Sequence, residues 1–157
     1  MIIGVTGFFC AGKDTFATFL QQRSFYHISL SDMIRDEIRR RGLPVTHELT
    51  VEIGNELRHR HGPQVLAEMA LALIDPTKNY VVTSIRNPAE VAILRSKPDF
   101  VLVFVDASAR KRYDRSVERN RAGDVLTFAD FQAATGTAAE PNRGPASRHS
   151  LKLFARE

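Results

Sequence analysis

The chain has 157 residues and a formal net charge of +4, and hydrophobic residues make up 43% of it. This length and apolar content are sufficient for one globular domain with its own core. No apolar run approaches the roughly 20 residues that a transmembrane helix needs, so we expect no membrane partner.

The basic residues are spread along the chain and mixed with Asp and Glu, and few aromatic residues lie among them. This pattern does not favour a nucleic-acid partner, and a small anionic substrate explains the positive charge equally well. Met1 is followed directly by an apolar segment rather than by the basic region of a signal peptide. Cys10 is the single cysteine, so we expect a cytoplasmic protein without an internal disulfide. The oligomeric state is left open.

The first elements of the chain have the pattern of a phosphate-binding loop. Ile2–Thr6 is predicted to be a short buried strand, and an amphipathic helix is predicted over about 13–22. The glycines between them allow backbone amides to surround a polyphosphate at the helix N-terminus, where Lys13 adds a charge for the β and γ phosphates. The predicted ATP-binding residues in this segment are Gly7, Phe8, Cys10, Ala11, Gly12, Lys13, Asp14 and Thr15.

The end of this loop departs from the usual Gly-Lys-Ser/Thr pattern. Asp14 stands where the hydroxyl that contacts Mg²⁺ is expected, and Thr15 follows it. A carboxylate can serve a hard cation directly or through water. We therefore predict Mg²⁺ as a second cofactor, with Asp14 as its protein ligand.

Strand and helix patterns alternate along the rest of the chain, which predicts a three-layer α/β domain with a mostly parallel sheet and helices on both faces. Two consecutive helices over about 42–75 are predicted to form an insertion that covers a substrate. The domain is predicted to span residues 1–133, and 134–157 to form a flexible or atypical tail because they are mostly polar. The predicted strands are 26–29, 80–85 and 100–105, and helices are predicted to begin near Ser31, Thr46, Pro63, Asn87, Ser108 and Thr127.

Several segments in order resemble P-loop kinases of the nucleoside-monophosphate kinase and dephospho-CoA kinase type, and especially the dephospho-CoA-kinase-like proteins of archaea. The matching segments are Gly7 to Thr15, Ser31-Asp32-Met33-Ile34-Arg35, Ile85-Arg86-Asn87-Pro88-Ala89-Glu90, and Val105-Asp106-Ala107 with the arginines that follow. They cover roughly residues 1–131. The resemblance implies a P-loop NTPase fold and transfer of a phosphoryl group from ATP to a small phosphorylated acceptor.

Candidate acceptor-binding residues follow the predicted strands, because ligands of open α/β sheets bind beyond the carboxyl ends of the strands. Asp32 is positioned to orient or deprotonate an acceptor group, although capping of the next helix explains it equally well. The guanidinium groups of Arg35, Arg58 and Arg86 suit an acceptor phosphate. Surface ion pairs are the alternative for Arg35 and Arg58.

The segment after the last predicted strand is rich in arginine. Arg112, Arg115 and Arg119 have the spacing of one helix face, and Arg121 follows at the helix end. In the family that the chain resembles, arginines here close as a lid over ATP and the transferring phosphate, which makes Arg119 a catalytic candidate beside Lys13 and Asp32. A solvated basic face is the alternative.

Two departures from the family leave two functions open. Thr83 occupies the place of an Asp that usually helps to hold Mg²⁺ or an attacking group, and a hydroxyl carries no charge there. The polar residues 134–150 replace a final hydrophobic strand. The hypotheses are therefore a kinase for a nucleoside or deoxynucleoside monophosphate or dephospho-CoA, and a nucleotide-binding regulatory or sensor module with weak catalysis.

Overall fold

The computed structural model describes residues 1–119 and 127–135. These residues form an α/β fold around a four-stranded parallel sheet with strand order β2-β3-β1-β4. The strands are β1 (Ile2–Gly7), β2 (Phe25–Ser29), β3 (Asn79–Thr83) and β4 (Phe100–Val105). The helices are α1 (Lys13–Gln21), α2 (Leu30–Arg40), α3 (His47–His61), α4 (Val65–Ala72), α5 (Pro88–Leu94), α6 (Ala109–Arg119) and α7 (Phe128–Thr135).

The register of the sheet brings the segments after β1, β2 and β3 together. Gly7 pairs with Val105 at the end of β1, and Ser29 pairs with Thr83 where β2 and β3 end. Because all four strands are parallel, their carboxyl ends lie along one edge of the sheet. The glycine loop and the candidate acceptor-binding residues therefore share that edge.

Apolar side chains cover both faces of the sheet. Ile2 and Val82 face a core formed with α2, α3, α4 and α5, and Val5 and Val81 face a smaller core formed with α1. Burial of one such side chain contributes roughly 1.5–3 kcal/mol, so both faces stabilise the sheet. The predicted α/β architecture, with a parallel sheet and helices on both faces, is confirmed.

Some predicted helix starts are confirmed by their capping contacts. The Thr46 hydroxyl accepts a hydrogen bond from the Leu49 amide at the start of α3. Asn87 and Glu90 form a reciprocal capping box at α5, and Pro88 occupies the first turn. The Asp130 amide donates to the Thr127 hydroxyl at the start of α7. Local cap chemistry thus identified these three starts correctly.

Other predicted boundaries are wrong by one or two residues. Ser31 lies inside α2, which begins at Leu30 because the extended residue before the helix is Ser29, and the Ser31 hydroxyl bonds to other serines. The strand predicted to reach 85 ends at Thr83, because Ser84 has a positive φ of 63°. Pro63 precedes α4, which begins at Val65.

Helix α7 packs against α6 and the glycine loop through aromatic rings. Phe131 is fully buried, and its ring contacts those of Phe9 and Tyr113, with centroids 6.2 and 5.7 Å away. The helix continues to Thr135, two residues into the predicted polar tail. The rest of that tail lies outside the described residues, so the division of the chain at 133 stays a prediction. Within the described ranges, no helix is long and apolar enough to cross a membrane.

Candidate functional site

The loop between β1 and α1 follows a path that requires glycine at two positions. Gly7 has a φ of +140°, and a Cβ atom there would lie 2.0 Å from the carbonyl oxygen of Val105. Gly12 has a φ of +107° at the N-terminus of α1. A side chain at Gly7 would push the loop away from the sheet, and a side chain at either position would strain the backbone. Glycine thus keeps the loop close to the ends of β1 and β4.

Lys13 is folded back onto this loop. Its ammonium group donates hydrogen bonds to the carbonyl oxygens of Phe8 and Gly7, at 2.6 and 3.1 Å. Desolvation lowers the pKa of Lys13, and the positive charges of Arg86 and Arg112 lower it further, against the opposing effect of Asp14. A phosphate group would therefore restore charge compensation that two neutral carbonyls cannot provide.

The remaining predicted loop residues divide into buried and exposed positions. The side chain of Phe8 is buried, and its ring lies edge-on to that of Phe104 with 5.4 Å between centroids. Only the backbone of Phe8 is therefore available to a ligand. Ala11 is buried, whereas Asp14 and Thr15 are exposed in the first turn of α1. The structure therefore places a carboxylate and a hydroxyl beside Lys13, where a ligand can reach them.

A magnesium ion at this site would need ligands beyond the protein side chains. Among the residues that the structure describes, no group of three or more His, Cys, Asp or Glu side chains could hold a metal ion. Mg²⁺ is commonly bound by one or two carboxylates together with substrate phosphates and water. The exposed carboxylate of Asp14 fits that kind of site.

Helix α6 contacts the loop through two of the predicted lid arginines. Arg115 donates to the carbonyl oxygen of Ala11 at 2.7 Å and to that of Cys10 at 3.4 Å. The guanidinium of Arg119 lies over the ring of Phe9, 4.7 Å from its centroid. Both cations are thus held at the loop by their contacts, and Arg121 lies outside the described residues.

Arg112 differs from these two arginines because it is fully buried. Its Nε donates to the carbonyl oxygen of Ala107 at 3.1 Å, and its guanidinium lies 4.9 Å from the centroid of the Phe8 ring. Desolvation lowers its pKa. Arg112 therefore supports the packing between α6 and the loop, although its spacing places it on the same helix face as Arg115 and Arg119.

Asp32 and Arg35 pair with each other at the start of α2. The Arg35 guanidinium donates to the Asp32 carboxylate, and it also donates to the Ser31 hydroxyl at 3.1 Å. Both charged side chains are partly exposed, so the pair contributes at most about 1 kcal/mol to stability. A ligand phosphate that replaced the carboxylate on Arg35 would release Asp32 for another contact.

Arg58 and Arg86 are connected through Glu90, which the sequence did not identify as a site residue. Glu90 is fully buried and accepts a hydrogen bond from the Arg58 guanidinium at 3.1 Å. Its other carboxylate oxygen accepts from the backbone amide of Arg86 at 2.7 Å. Glu90 therefore holds the Arg58 side chain and the Arg86 backbone in one arrangement.

The guanidinium of Arg86 has no carboxylate in contact with it among the described residues. Arg86 is exposed, yet desolvation by surrounding protein lowers its pKa, and the charges of Arg58 and Arg35 lower it further. Arg86 and Lys13 thus place positive charge at one edge of the sheet, where Glu90 and Asp14 oppose it only in part, and this suits an anionic ligand.

A cluster of hydroxyl groups at the ends of β2 and β3 was also missed. The Oγ atoms of Ser29, Ser31 and Ser84 lie 3.0–3.2 Å from one another. Thr83 is buried, and its hydroxyl lies 2.8 Å from Nε2 of His27. The sequence does place serine or threonine at the end of each of these two strands. It does not show that β2 and β3 are neighbours, which is what brings the hydroxyl groups together.

Comparison with known proteins identifies relatives over most of the chain. No protein-family model matches it. It is 30% identical over 139 residues to the UPF0200 protein TK1334 of Thermococcus kodakarensis, which covers 84% of this chain and 75% of the relative. It is 32% identical over 134 residues to a UPF0200 protein of Hyperthermus butylicus, with 84% and 72% covered.

Two solved structures share the fold at low sequence identity. A chain of the Pnkp1/Rnl/Hen1 RNA repair complex matches with a TM-score of 0.52 and 11% identity, over 83% of this chain and 41% of that one. The crystal structure of TT1252 from Thermus thermophilus matches with a TM-score of 0.50 and 21% identity, over 85% and 77% of the two chains. These similarities establish the fold alone.

Proposed function

The chain belongs to the UPF0200 protein family, and from the geometry of its site we propose that it is an ATP-dependent phosphotransferase acting on a small phosphorylated acceptor. One observation carries this proposal. Lys13 follows β1 and Arg86 follows β3, and these strands are parallel neighbours, so both cations lie at the same edge of the sheet. A phosphoryl group passing between two bound anions needs positive charge on both sides.

The loop side of the site would bind ATP. In this proposal the backbone of the Gly7–Gly12 segment surrounds the phosphates, and the Lys13 ammonium moves from the Phe8 and Gly7 carbonyls to the β and γ phosphates. Asp14 would hold Mg²⁺, which neutralises phosphate charge when it is bound. The ammonium group needs only a side-chain rotation, because Lys13 lies in the first turn of α1.

The side beyond β3 would bind the acceptor, a nucleoside or deoxynucleoside monophosphate or dephospho-CoA. Arg86 would contact the acceptor phosphate, and Arg58 and Arg35 would add positive charge around it. In the transfer, the bond between the γ phosphorus and the bridging oxygen breaks, a bond to an acceptor oxygen forms, and ADP leaves. If the acceptor oxygen is a hydroxyl, its proton would pass to Asp32.

Helix α6 would complete the site with two arginines that contact the loop. Arg115 and Arg119 already lie against the loop through the Ala11 carbonyl and the Phe9 ring. Movement of these guanidinium groups onto the transferring phosphate would stabilise its charge and exclude water. In this role Arg119 would act on the phosphoryl group directly.

A second candidate function is a nucleotide-binding regulatory or sensor module with weak catalysis. The position of Thr83 favours it, because this buried side chain at the end of β3 is uncharged and hydrogen-bonds to His27. Such a site would bind ATP through Lys13 without activating an acceptor. The two functions differ in turnover rather than in nucleotide affinity.

The experiment that tests the proposal is a screen for acceptor-dependent ADP release. The protein would be mixed with Mg²⁺-ATP and each nucleoside or deoxynucleoside monophosphate or dephospho-CoA. We expect one acceptor to stimulate ADP release, and Lys13→Ala to abolish it.

Arg86→Ala should lower kcat/KM for the acceptor by about 100-fold, because a hydrogen-bonded charge pair contributes about 3 kcal/mol. Arg39→Ala is the matched control, since Arg39 is an exposed arginine paired with Asp36 on α2, and it should leave kcat/KM unchanged. ATP binding without turnover on any acceptor would support the second candidate function instead.

A further inference from the structure

Glu90 is a buried carboxylate with more partners than helix capping requires. It is fully buried, and its Oε2 accepts from the backbone amides of Arg86 at 2.7 Å and Asn87 at 3.2 Å. Its Oε1 accepts from the Arg58 guanidinium at 3.1 Å. A buried carboxylate is destabilising unless such partners compensate its charge. Here the compensating partners are two backbone amides after β3 and the Arg58 guanidinium.

The capping box accounts for only part of this arrangement. Capping of α5 needs the exchange between Asn87 and Glu90, in which each side chain accepts from the backbone of the other. The bond from the Arg86 amide is shorter than the one from the Asn87 amide. Arg58 lies on α3, which is part of the helical insertion. Glu90 thus connects the end of β3 to the insertion.

We propose that Glu90 is a positioning residue for the acceptor site. It fixes the Arg86 backbone and holds the Arg58 guanidinium in place. The Arg86 guanidinium then stays available for a phosphate monoester. This inference rests on the proposed function. Arg58 is further fixed by its bond to the Gly54 carbonyl at 3.3 Å. Its guanidinium is therefore oriented by α3 and Glu90 together, beside Arg86 and not in competition with it.

Replacement of the Glu90 carboxylate by an amide should remove the contact to one of the two arginines. In Glu90→Gln the side chain keeps its length, but one of its two oxygens becomes an amide nitrogen that donates. Either the Arg86 amide or the Arg58 guanidinium then faces a donor and loses its acceptor. We expect weaker phosphate binding through Arg86, with no change at the ATP-binding loop.

The test follows the Arg86 guanidinium by NMR during a titration with inorganic phosphate, so it needs no turnover. In the wild type we expect the Arg86 Nε–Hε resonance to shift with saturation. In Glu90→Gln the dissociation constant should rise at least 10-fold. In kinetics, KM for the acceptor should rise by a similar factor, with kcat within about 3-fold and KM for ATP unchanged.

Asn87→Ala is the matched control for a purely structural role. It breaks the same capping box by removing the oxygen that accepts from the Glu90 amide, but it leaves the Glu90 contacts to Arg86 and Arg58 in place. Both variants should lower the urea midpoint of unfolding. Asn87→Ala should leave the phosphate dissociation constant within about 3-fold of the wild type.

The double variant Glu90→Gln/Arg58→Met gives a further check. Because Glu90 acts partly through Arg58, the loss of phosphate affinity caused by Glu90→Gln should be smaller in an Arg58→Met background than in the wild type. An unchanged phosphate dissociation constant in Glu90→Gln would overturn the positioning role while leaving the proposed function standing. If the Arg86 resonance of the wild type did not respond to phosphate, both the positioning role of Glu90 and the proposed function would be overturned.

Discussion

Replacement of Ser84 separates backbone strain from hydrogen bonding at the end of β3. Ser84 has a φ of 63°, a left-handed conformation that costs most residues about 1–2 kcal/mol. Its hydroxyl lies 3.2 Å from that of Ser29 and 3.1 Å from that of Ser31. The hydroxyl cluster therefore holds a strained turn two residues before Arg86.

The two substitutions at this position should have different magnitudes. Ser84→Ala removes two neutral hydrogen bonds, each contributing about 0.5–1.5 kcal/mol, and keeps the strain, so stability should fall by about 1–3 kcal/mol. Ser84→Gly removes the same bonds but relieves the strain. We expect Ser84→Gly to be more stable than Ser84→Ala by about 1 kcal/mol.

The assay is urea unfolding at 25 °C, with the free energy of unfolding obtained by linear extrapolation. Ser24 provides a matched control, because it has a φ of 64° and its exposed hydroxyl has no hydrogen-bond partner among the described residues. Ser24→Ala should change stability little, and Ser24→Gly should raise it by about 1 kcal/mol. If Ser84→Gly were no more stable than Ser84→Ala, Ser84 would not carry the strain that we assign to it.

Three further predictions concern charge and packing. Hydrogen bonds from Arg40 and Arg41 hold the pKa of Glu37 at about 2 instead of 4.5. The ionised Glu37 should therefore stabilise the fold fully above pH 4.5, and this contribution should be lost as pH falls towards 2. Glu37→Gln should lower the free energy of unfolding by about 0.5–1 kcal/mol at neutral pH in urea unfolding. Phe131→Ala should cost about 3–5 kcal/mol in the same assay, whereas a loss below about 1 kcal/mol would show that α7 unfolds separately. Because burial lowers the pKa of Lys13 from 10.5, calorimetry should show ATP affinity falling as pH rises through that lowered value, and Lys13→Arg should flatten this dependence.

The sequence predicted the elements whose signals are local. The Gly7–Lys13 loop, the α3 cap at Thr46 and the capped start of α5 each depend on residues within a few positions of one another. The order of apolar strands and amphipathic helices was sufficient to predict a parallel sheet with helices on both faces. These features were correct because propensity, capping and apolar pattern favoured the same structure.

The parts that the sequence did not predict depend on contacts between distant segments. Glu90 and Arg58 are separated by 32 residues, and no periodic pattern connects them. Helical spacing placed Arg112 with Arg115, but spacing does not show that Phe8 and Phe131 enclose Arg112. The end of β3 was misplaced because a serine with positive φ has no sequence signature comparable to that of glycine.

The most direct measurement of the central claim follows the γ-phosphoryl group itself. The protein would be incubated with Mg²⁺ and ATP labelled with ³²P at the γ position, together with the acceptor that stimulates ADP release. Our account predicts that the label appears covalently on the acceptor, and that Lys13→Ala and Arg86→Ala abolish or sharply reduce its transfer. Label that remained in ATP, or that appeared only as inorganic phosphate, would contradict the phosphotransferase function.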